Sequence, residues 1–304
     1  MQNPHPMDIL LALGSALATA VYFVYVSQTM KRQAGLSSSF TLAVSHLAAA
    51  AALFPLWLAL PHEAFPAPLW PALLLAAGLL LVSRELYFYA YAHTDIAHVT
   101  VFSALTPVYA VGTGYIFLHE TPSPLQLTGL LLICGSIYAL FLKRPANASW
   151  IKAVAQPFRH IGTSAPILCA FLSTIPTAFA AVSQKYALQT LDPLSFSFFL
   201  LLLIGGAALG ISCIISTPQG CVSQWRRLPP HFLPVSAIML PVMNLLFCLV
   251  MQHQYTAVSL VLQRSSSMFQ ILLAYTYLRE RRDGYKRVTV AALVMAGFAM
   301  ILVK

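Results

Sequence analysis

Long apolar runs constrain this sequence more than any other feature, because they recur along nearly the whole chain. Each run approaches the roughly 20 apolar residues that an α-helix needs to cross a bilayer. Only 8% of the 304 residues are charged, against about 25% in an ordinary soluble domain. A water-soluble globule and a disordered chain are therefore both excluded. We predict ten membrane spans, at residues 7–29, 40–60, 70–91, 97–118, 124–142, 165–186, 195–216, 232–251, 256–278 and 288–303.

The spans are expected to be helices, since a helix satisfies all its backbone polar groups within one segment of chain. The alternating ten-residue strands of a membrane barrel are absent from the sequence. Very short polar connections at 93–95 and 252–255 predict two tight antiparallel helix hairpins. No lysine or arginine precedes the first run, so 7–29 is predicted to be an uncleaved span and not a signal peptide. The predicted fold class is an all-α membrane protein with ten transmembrane helices.

The basic residues are distributed unevenly among the connections. Thirteen of the 17 lysines and arginines follow the first, fifth, seventh and ninth spans. Positively charged loops stay on the cytoplasmic side, so this face is predicted to be cytoplasmic and both termini external. The net charge of +9 is then a consequence of topology, and no nucleic-acid partner is expected. The predicted location is a cell membrane, the bacterial inner membrane, with multiple passes.

Metal and disulfide chemistry is not expected. The five cysteines are odd in number and contain no CxxC, which argues against a disulfide framework or a zinc site. His93, Asp95 and His98 share a predicted solvent-facing turn but have no evident fourth ligand. We therefore predict no metal site and no cofactor.

The two halves of the sequence resemble each other. Val26–Gln28 recurs as Val182–Gln184, 156 residues later. A second register of 160 residues pairs His93 with His253, Ala97 with Ala257, Val101 with Val261, Tyr115 with Tyr275, Leu118 with Leu278 and Glu120 with Glu280. This predicts a first five-helix repeat at 1–143, a basic cytoplasmic connector at 144–164 and a second repeat at 165–304. Two fused units of five spans must cross the membrane in opposite senses, which is an inverted repeat typical of secondary transporters. The connector is either a short amphipathic helix on the membrane surface or a plain linker.

The segment Tyr87–Leu142 resembles the EamA family of ten-helix transporters in the drug/metabolite transporter superfamily. The resemblance rests on an aromatic and alanine-rich end of the third span, followed by Pro107, Leu118, Glu120, Gly129 and Gly135. The second copy, Met251–Val303, matches at Leu278, Glu280 and Gly297 but has Ser267 where the family often has proline. The resemblance implies export or exchange of small metabolites by alternating access, without ATP hydrolysis. It also implies that the third, fourth, eighth and ninth spans surround a central cavity.

Ionisable side chains at lipid depth are costly and normally mark a pathway through a membrane protein. Arg84, Glu85 and Arg264 lie inside predicted spans. They are either ligands of a substrate or members of ion pairs between helices. Polar residues at steps of three to four place a polar face along the ninth span. The candidate substrate-binding residues are Arg84, Glu85, Tyr89, Ser103, Thr106, Asn244, Gln263, Arg264, Ser267 and Gln270.

These features together predict a secondary transporter of a small metabolite that carries a carboxylate or another anionic group. Glu85 is the candidate carrier of a coupling proton, and Glu120 is interpreted as a structural residue at a helix end. The lipid bilayer and a small-molecule metabolite are the expected partners, with the protein a monomer or weak dimer. Gly206-x-x-x-Gly210 favours helix packing within the bundle, with dimerisation as the alternative. An intramembrane enzyme and a non-transporting structural or receptor protein are the competing classes, although GxSxG, HExxH and the P-loop motif are all absent.

Overall fold

The computed structural model describes residues 6–33, 35–60, 66–94, 105–141 and 164–266, and single positions at 99, 102–103, 269–270, 273, 289, 293, 296–297 and 300. The predicted connector therefore lies outside the described residues except for its last residue, and Ser267 lies outside them as well. Apart from one short 3₁₀ turn, the regular structure of the described residues is α-helical. The helices are α1 (Pro6–Arg32), α2 (Ser38–Ala59), α3 (Trp70–His93), α4 (Thr106–Leu118), α5 (Pro124–Phe141), α6 (Ala165–Leu172), α7 (Thr174–Leu188), α8 (Pro193–Arg227), α9 (Phe232–His253) and α10 (Thr256–Arg264).

Six helical segments in the described residues are long and apolar enough to cross a membrane. They are Met7–Arg32, Ser38–Ala59, Ala67–His93, Ala165–Leu188, Pro193–Thr217 and Phe232–His253. These segments confirm the predicted first, second, third, sixth, seventh and eighth spans as helices. The fourth, fifth and ninth predicted spans appear as α4, α5 and α10, which are shorter within the described residues.

Local sequence signals explain where several of these helices begin. The Ser37 side chain accepts a hydrogen bond from the Phe40 backbone N–H, and Asp192 caps α8 through the N–H of Ser195. Both are standard N-cap contacts, which satisfy backbone donors that the first helical turn leaves open. Pro193 follows at the first position of α8, where its missing N–H costs nothing.

Two interruptions lie close to prolines. The sixth span breaks at Ser173, three residues before Pro176, so that α6 and α7 form one bent segment. Ser173 is fully buried, and its carbonyl accepts a hydrogen bond from the Ser83 hydroxyl at 2.9 Å, which ties α3 to the bend. In α8, Thr217 leaves the helical region with φ 60° and ψ 158° immediately before Pro218. A residue before proline is disfavoured in the helical conformation, which accounts for the departure of Thr217 from that conformation but not for its positive φ.

The helices α2 and α8 run antiparallel along their whole contact. The Ser37 backbone N–H donates to Gln224 at one end, at 2.8 Å. The Trp57 indole N–H donates to the Ser195 hydroxyl at the other, at 3.1 Å. Near the middle, Gly205 faces Leu47 so closely that an added Cβ would lie 2.9 Å from the Leu47 backbone nitrogen. This glycine therefore permits the close approach of the two helices.

The packing role predicted for Gly206-x-x-x-Gly210 is not what the described structure shows. A Cβ added at Gly206 or at Gly210 would meet no atom within 4 Å among the described residues. The two glycines lie on the exposed side of α8, rotated from the face that Gly205 presents to α2 by about 100° at Gly206 and about 140° at Gly210. The dimerisation alternative stays a prediction.

Two further helix pairs are antiparallel. In the first, Ser15 of α1 donates to the Met243 carbonyl of α9, and Gln254 after α9 donates to Asp8 of α1. In the second, the Arg264 guanidinium of α10 donates to the Thr106 hydroxyl at the start of α4. The opposite ends of α4 and α10 meet where Glu120 accepts from Thr256.

The distribution of polarity is that of a protein in a bilayer. Large apolar side chains such as Ile116 and Ile214 are exposed, at 64% and 84% of their full area. Polar side chains are instead buried between the helices, among them Ser45, His46 and Thr106, which are all fully covered. Lipid solvates the first group but not the second, so the polar groups must find partners inside the bundle.

Candidate substrate-binding site

A cavity of about 80 Å³ lies between α1, α3, α7, α9 and α10. Four of the predicted site residues line it, namely Arg84, Asn244, Gln263 and Arg264. Further polar side chains in the lining are Thr19, Ser83, Tyr87, Thr177, Gln184 and Ser266. The third, eighth and ninth spans thus meet at this cavity, together with the first and sixth, which were not expected there. The fourth span does not contribute to the described lining, although Thr106 contacts Arg264.

Arg84 reaches the cavity from α3 and is buried, with only 9% of its area exposed. Its Nη1 atom lies 2.6 Å from Nε2 of His46 on α2. No described acidic side chain forms an ion pair with it. Glu85 is the next residue, but successive helix positions point about 100° apart; its carboxyl group lies near Ser39, and its Oε1 atom is buried with no hydrogen-bond partner among the described residues.

His46 was missed by the sequence reasoning, which considered only arginine and glutamate as ionisable residues at lipid depth. A histidine inside a predicted span carries the same signal. Its Nδ1 atom lies 2.8 Å from the Leu42 carbonyl and 3.1 Å from the Ser45 hydroxyl. The Tyr22 hydroxyl of α1 donates in turn to Ser45 at 2.9 Å. A buried polar chain therefore joins α1 and α2 to Arg84.

Arg264 enters the cavity from α10 and is half-buried. Its Nη2 atom donates to the Thr106 hydroxyl at 3.2 Å. Its Nε atom is buried and has no hydrogen-bond partner among the described residues. The same holds for the Tyr87 hydroxyl and the Asn244 amide nitrogen, which also belong to cavity-lining residues. Each of these groups can donate a hydrogen bond, so the described lining is rich in open donors.

The remaining predicted site residues lie elsewhere. Tyr89 is 37% exposed, and its ring centroid lies 4.4 Å from that of His93 at the end of α3. Glu85 is half-buried but is not part of the described lining. Ser103 and Gln270 are buried without lining the cavity. Thr106 reaches the site only through its contact with Arg264.

A second polar cluster closes one end of the bundle, which we call the Lys185 end. The Lys185 ammonium donates to the carbonyls of Met251, Gln252 and Gln254 at 2.5 to 3.1 Å. The Glu120 carboxylate accepts the Thr256 N–H, which is shared between its two oxygen atoms, and the Thr256 hydroxyl, at 2.8 to 3.0 Å. Glu120 therefore caps the start of α10, which gives physical content to the structural role predicted for it.

Burial raises the pKa of the Glu120 carboxyl group, while the hydrogen bonds from Thr256 and the charge of Lys185 act in the opposite direction. The cluster joins the ends of five helices at the Lys185 end, namely α1, α4, α7, α9 and α10, since Asp8 of α1 also accepts from Gln254 at 3.0 Å. It lies outside the cavity lining and holds helix ends together.

The described residues contain no group of three potential metal ligands. Asp95 and His98 of the histidine turn lie outside the described residues. All five cysteines are free thiols. The Sγ atoms of Cys213 and Cys221 lie 3.9 Å apart on the two sides of the α8 kink.

The membrane-length helices, the apolar exterior and the buried polar cavity define a multi-pass membrane protein. Within that class, residues 7–142 match the model of the EamA-like transporter family. The match confirms the resemblance stated from the sequence: residues 7–142 are similar to the EamA-like transporter family, which is consistent with the drug/metabolite transporter superfamily. The family implies a small-molecule substrate and a bilayer location, and its members are transporters and not enzymes.

Comparison with solved structures supports the fold over the whole chain. A protein known from a crystal structure matches with a TM-score of 0.70 at 14% sequence identity. The match covers 96% of this chain and 95% of the other. At this identity the likeness concerns the fold alone. No curated protein matches the chain.

Proposed function

We propose that the protein is a secondary active transporter, an exporter or exchanger, of a small metabolite that carries a carboxylate or another anionic group. The observation that carries this proposal is the lining of the cavity. It holds the side chains of Arg84 and Arg264, and three of its residues, Arg264 among them, have buried donor groups with no described partner. No described acidic side chain lines it. An anion would accept hydrogen bonds from these donors and compensate the two positive charges.

The partners of the two arginines favour a ligand over a static ion pair. Arg84 contacts a histidine and Arg264 a threonine hydroxyl, and both partners are neutral when they accept these bonds. A buried charge without an opposite charge is costly in a protein interior. An entering anion would remove that cost, so the site favours anions over neutral compounds.

The size of the cavity limits what fits without rearrangement. Sites for drug-sized ligands usually enclose about 300–1,000 Å³, whereas this cavity has about 80 Å³. It holds a small carboxylate group but not a large organic molecule. We infer that the helices separate further when a larger metabolite binds.

Two five-helix units in opposite orientation are the architecture we propose, with the boundaries 1–143 and 165–304. In this correspondence the helices of the first unit, α1, α2, α3 and α4, are equivalent to α6–α7, α8, α9 and α10 of the second. The contacts between the units are preserved when equivalent helices are exchanged. Thus α1 packs on α9 as α6 and α7 pack on α3, and α2 packs on α9 as α8 packs on α3. The equivalent helices α2 and α8 are antiparallel to each other, as are α4 and α10. That relation is the one an inverted repeat requires.

The cavity lining supports the same correspondence. At the offset of 160 residues, Ser83, Arg84 and Tyr87 of α3 correspond to Met243, Asn244 and Phe247 of α9, and all six line the cavity. The two proposed units therefore contribute equivalent positions to one site. A binding site between two inverted units can be reached from either side by their relative rocking, which is the basis of alternating access.

In this conformation the Lys185 end is closed by the contacts of Lys185, Glu120 and Asp8. We propose that these contacts break when the cavity opens to the Lys185 end. The orientation predicted from the distribution of lysine and arginine places this end on the external side of the membrane. The bacterial inner membrane is the proposed location. Glu85 was the predicted proton carrier, but its place beside Ser39 and outside the described lining does not favour that role.

Counterflow into proteoliposomes tests the proposal. Vesicles containing the full chain are preloaded with one of a panel of small carboxylates and amino acids, and uptake of the labelled compound is measured. Arg264→Ala removes a charge-assisted hydrogen bond, so the Michaelis constant of each accepted anion should rise about 10- to 100-fold. Arg226→Ala is the matched control, because it removes the same charge at an exposed helix end.

Unchanged uptake in Arg264→Ala for every accepted compound would refute the assignment of the cavity. Uptake restricted to neutral or cationic compounds would refute the anionic substrate. A folded protein without uptake of any compound, despite reconstitution in both orientations, would favour the structural or receptor alternative.

A further inference from the structure

His46 is fully buried in α2, and its hydrogen bonds determine which ring nitrogen carries the proton. The Leu42 carbonyl, 2.8 Å from Nδ1, can only accept. Nδ1 must therefore carry the hydrogen, and Nε2 is the bare nitrogen of a neutral ring. An arginine can only donate, so Nη1 of Arg84 donates to Nε2 across 2.6 Å. Geometry alone thus assigns a neutral His46 in this conformation.

A proton on Nε2 is incompatible with the observed contact. Both nitrogen atoms would then be donors, and two positive charges would lie within one hydrogen-bond length of each other. The Arg84 guanidinium would have to leave His46. Because Arg84 also lines the cavity, the displaced guanidinium has somewhere to move, and an anion in the cavity is the partner that would compensate its charge there.

We infer that His46 binds the coupling proton of this transporter, and that the proton and the anionic substrate bind cooperatively through Arg84. The inference rests on the proposed function, because it needs an anion in the cavity. An anion that draws Arg84 away from Nε2 uncovers the lone pair that takes the proton. A proton on Nε2 in turn releases Arg84 to the anion. Since each ligand favours the same rearrangement, each raises the affinity for the other by the same factor.

The charge balance supports this pairing. A proton alone would add a further positive charge beside Arg84 and Arg264, whereas a proton that enters together with a monovalent anion adds no net charge to the interior of the bundle. The two ligands would therefore move in the same direction across the membrane. Proton-coupled anion symport is the form of transport that this site favours.

The other titratable groups around His46 do not offer the same chemistry. Tyr22 of α1 reaches it through the Ser45 hydroxyl. On α3, Arg84 hydrogen-bonds to the ring, while the carboxyl group of Glu85 lies near Ser39 and forms no hydrogen bond to the ring. The helices α8 and α9 also pack on α2. Their described ionisable groups are the thiols Cys213, Cys221 and Cys248, the arginines Arg226 and Arg227 beyond the α8 kink, and His253 at the far end of α9.

Acetate, a minimal carboxylate of a size suited to the cavity, is the probe for this inference. The purified full chain in detergent is held in weakly buffered solution, and sodium acetate adjusted to the same pH is added. Binding is followed by saturation-transfer NMR of the acetate methyl group, and proton uptake by a pH indicator. Three forms are compared: the parent chain, His46→Gln and Glu85→Gln. Glutamine at 46 still accepts from Arg84 but does not titrate.

The parent chain and Glu85→Gln are expected to take up as much as about one proton per acetate bound, with an apparent affinity that rises as much as about tenfold per unit fall in pH between about pH 5 and 8. His46→Gln is expected to bind acetate without proton uptake and without this pH dependence. ¹⁵N NMR of the acetate-free protein should show His46 protonated at Nδ1 and bare at Nε2.

Acetate binding without proton uptake in the parent chain would overturn the inference but leave the anionic site intact. Uptake that persists in His46→Gln and disappears in Glu85→Gln would move the proton to Glu85 and overturn it as well. A neutral ring protonated at Nε2 would overturn it independently of any ligand. If acetate binds to none of the forms, the anionic site of the proposed function fails, and the coupling that rests on it fails with it.

Discussion

The contact between α2 and α8 can be tested with a single methyl group at two adjacent positions. In Gly205→Ala, the new Cβ would lie 2.9 Å from both the backbone nitrogen and Cγ of Leu47. A backbone atom inside a helix cannot move without shifting the helix, so α2 and α8 must separate by a few tenths of an ångström. Overpacking of this kind costs about 1–3 kcal/mol.

Gly206→Ala is the matched control. It lies on the same helix and gains the same methyl group, but that group would meet no described atom within 4 Å. Alanine is the better helix former, by at most about 1 kcal/mol. The gain in helix propensity is common to both variants and cancels in the comparison, so Gly205→Ala should be less stable than Gly206→Ala by about 1–3 kcal/mol.

The free energy of unfolding is measured in bicelles by titration with sodium dodecyl sulfate, under conditions where refolding is shown to be reversible. Each variant is compared with the parent chain in the same lipid. Equal stability of the two variants, or greater stability of Gly205→Ala, would refute the close approach of α2 and α8. Because α2 and α8 are equivalent helices of the two proposed units, that result would also weaken the proposed inverted repeat.

Three further expectations concern the helix ends and the orientation. Glu120→Ala should lower the free energy of unfolding by about 2 kcal/mol, because it leaves the donors of Thr256 without their acceptor. Thr256→Ser keeps both donors and should change the free energy of unfolding by less than about 0.5 kcal/mol. Similar losses in the two variants would contradict the capping role of Glu120. The pKa of Glu120 is raised in the folded protein. Its contribution to stability is therefore largest below the pKa of the unfolded chain, about 4.3, and falls as the pH rises through the pKa of the folded protein. Glu120→Gln should flatten the pH dependence of the free energy of unfolding in that range, and an unchanged curve would contradict the raised pKa. A cysteine at Asp283→Cys in a cysteine-free background should react with an impermeant maleimide only after the cells are permeabilised, and labelling of intact cells would reverse the predicted orientation.

Part of the cavity lining was within reach of the sequence. Arg84, Asn244, Gln263 and Arg264 were selected because polar and ionisable groups at lipid depth must face the interior of a bundle. The structure brings these four side chains to one cavity. The rule works because hydrocarbon offers no hydrogen bonds, so burial inside the protein is the only alternative for such groups.

The contacts between distant elements were not within reach. Glu120 and Thr256 are 136 residues apart, and a helix-end glutamate carries no signal for which helix it caps. The partner of Arg84 was missed for a related reason, because nothing in the spacing of α2 and α3 fixes which residues meet. The glycine pattern shows a third limit. Gly206-x-x-x-Gly210 predicts a smooth face, but only the tertiary structure decides that α8 turns Gly205 to its neighbour.

The sequence alone left open whether the arginines belong to ion pairs or bind a substrate, and the partners observed in the structure favour substrate binding. A carboxylate partner would satisfy a guanidinium permanently and leave little affinity for a second anion. Instead, Arg84 is held by a neutral imidazole nitrogen and Arg264 by a hydroxyl, both of which an incoming anion can replace. Glu85 could have neutralised Arg84 as its neighbour in sequence, but helix geometry turns it toward Ser39. Two guanidinium groups with replaceable partners, facing one cavity, are what a reversible anion site requires.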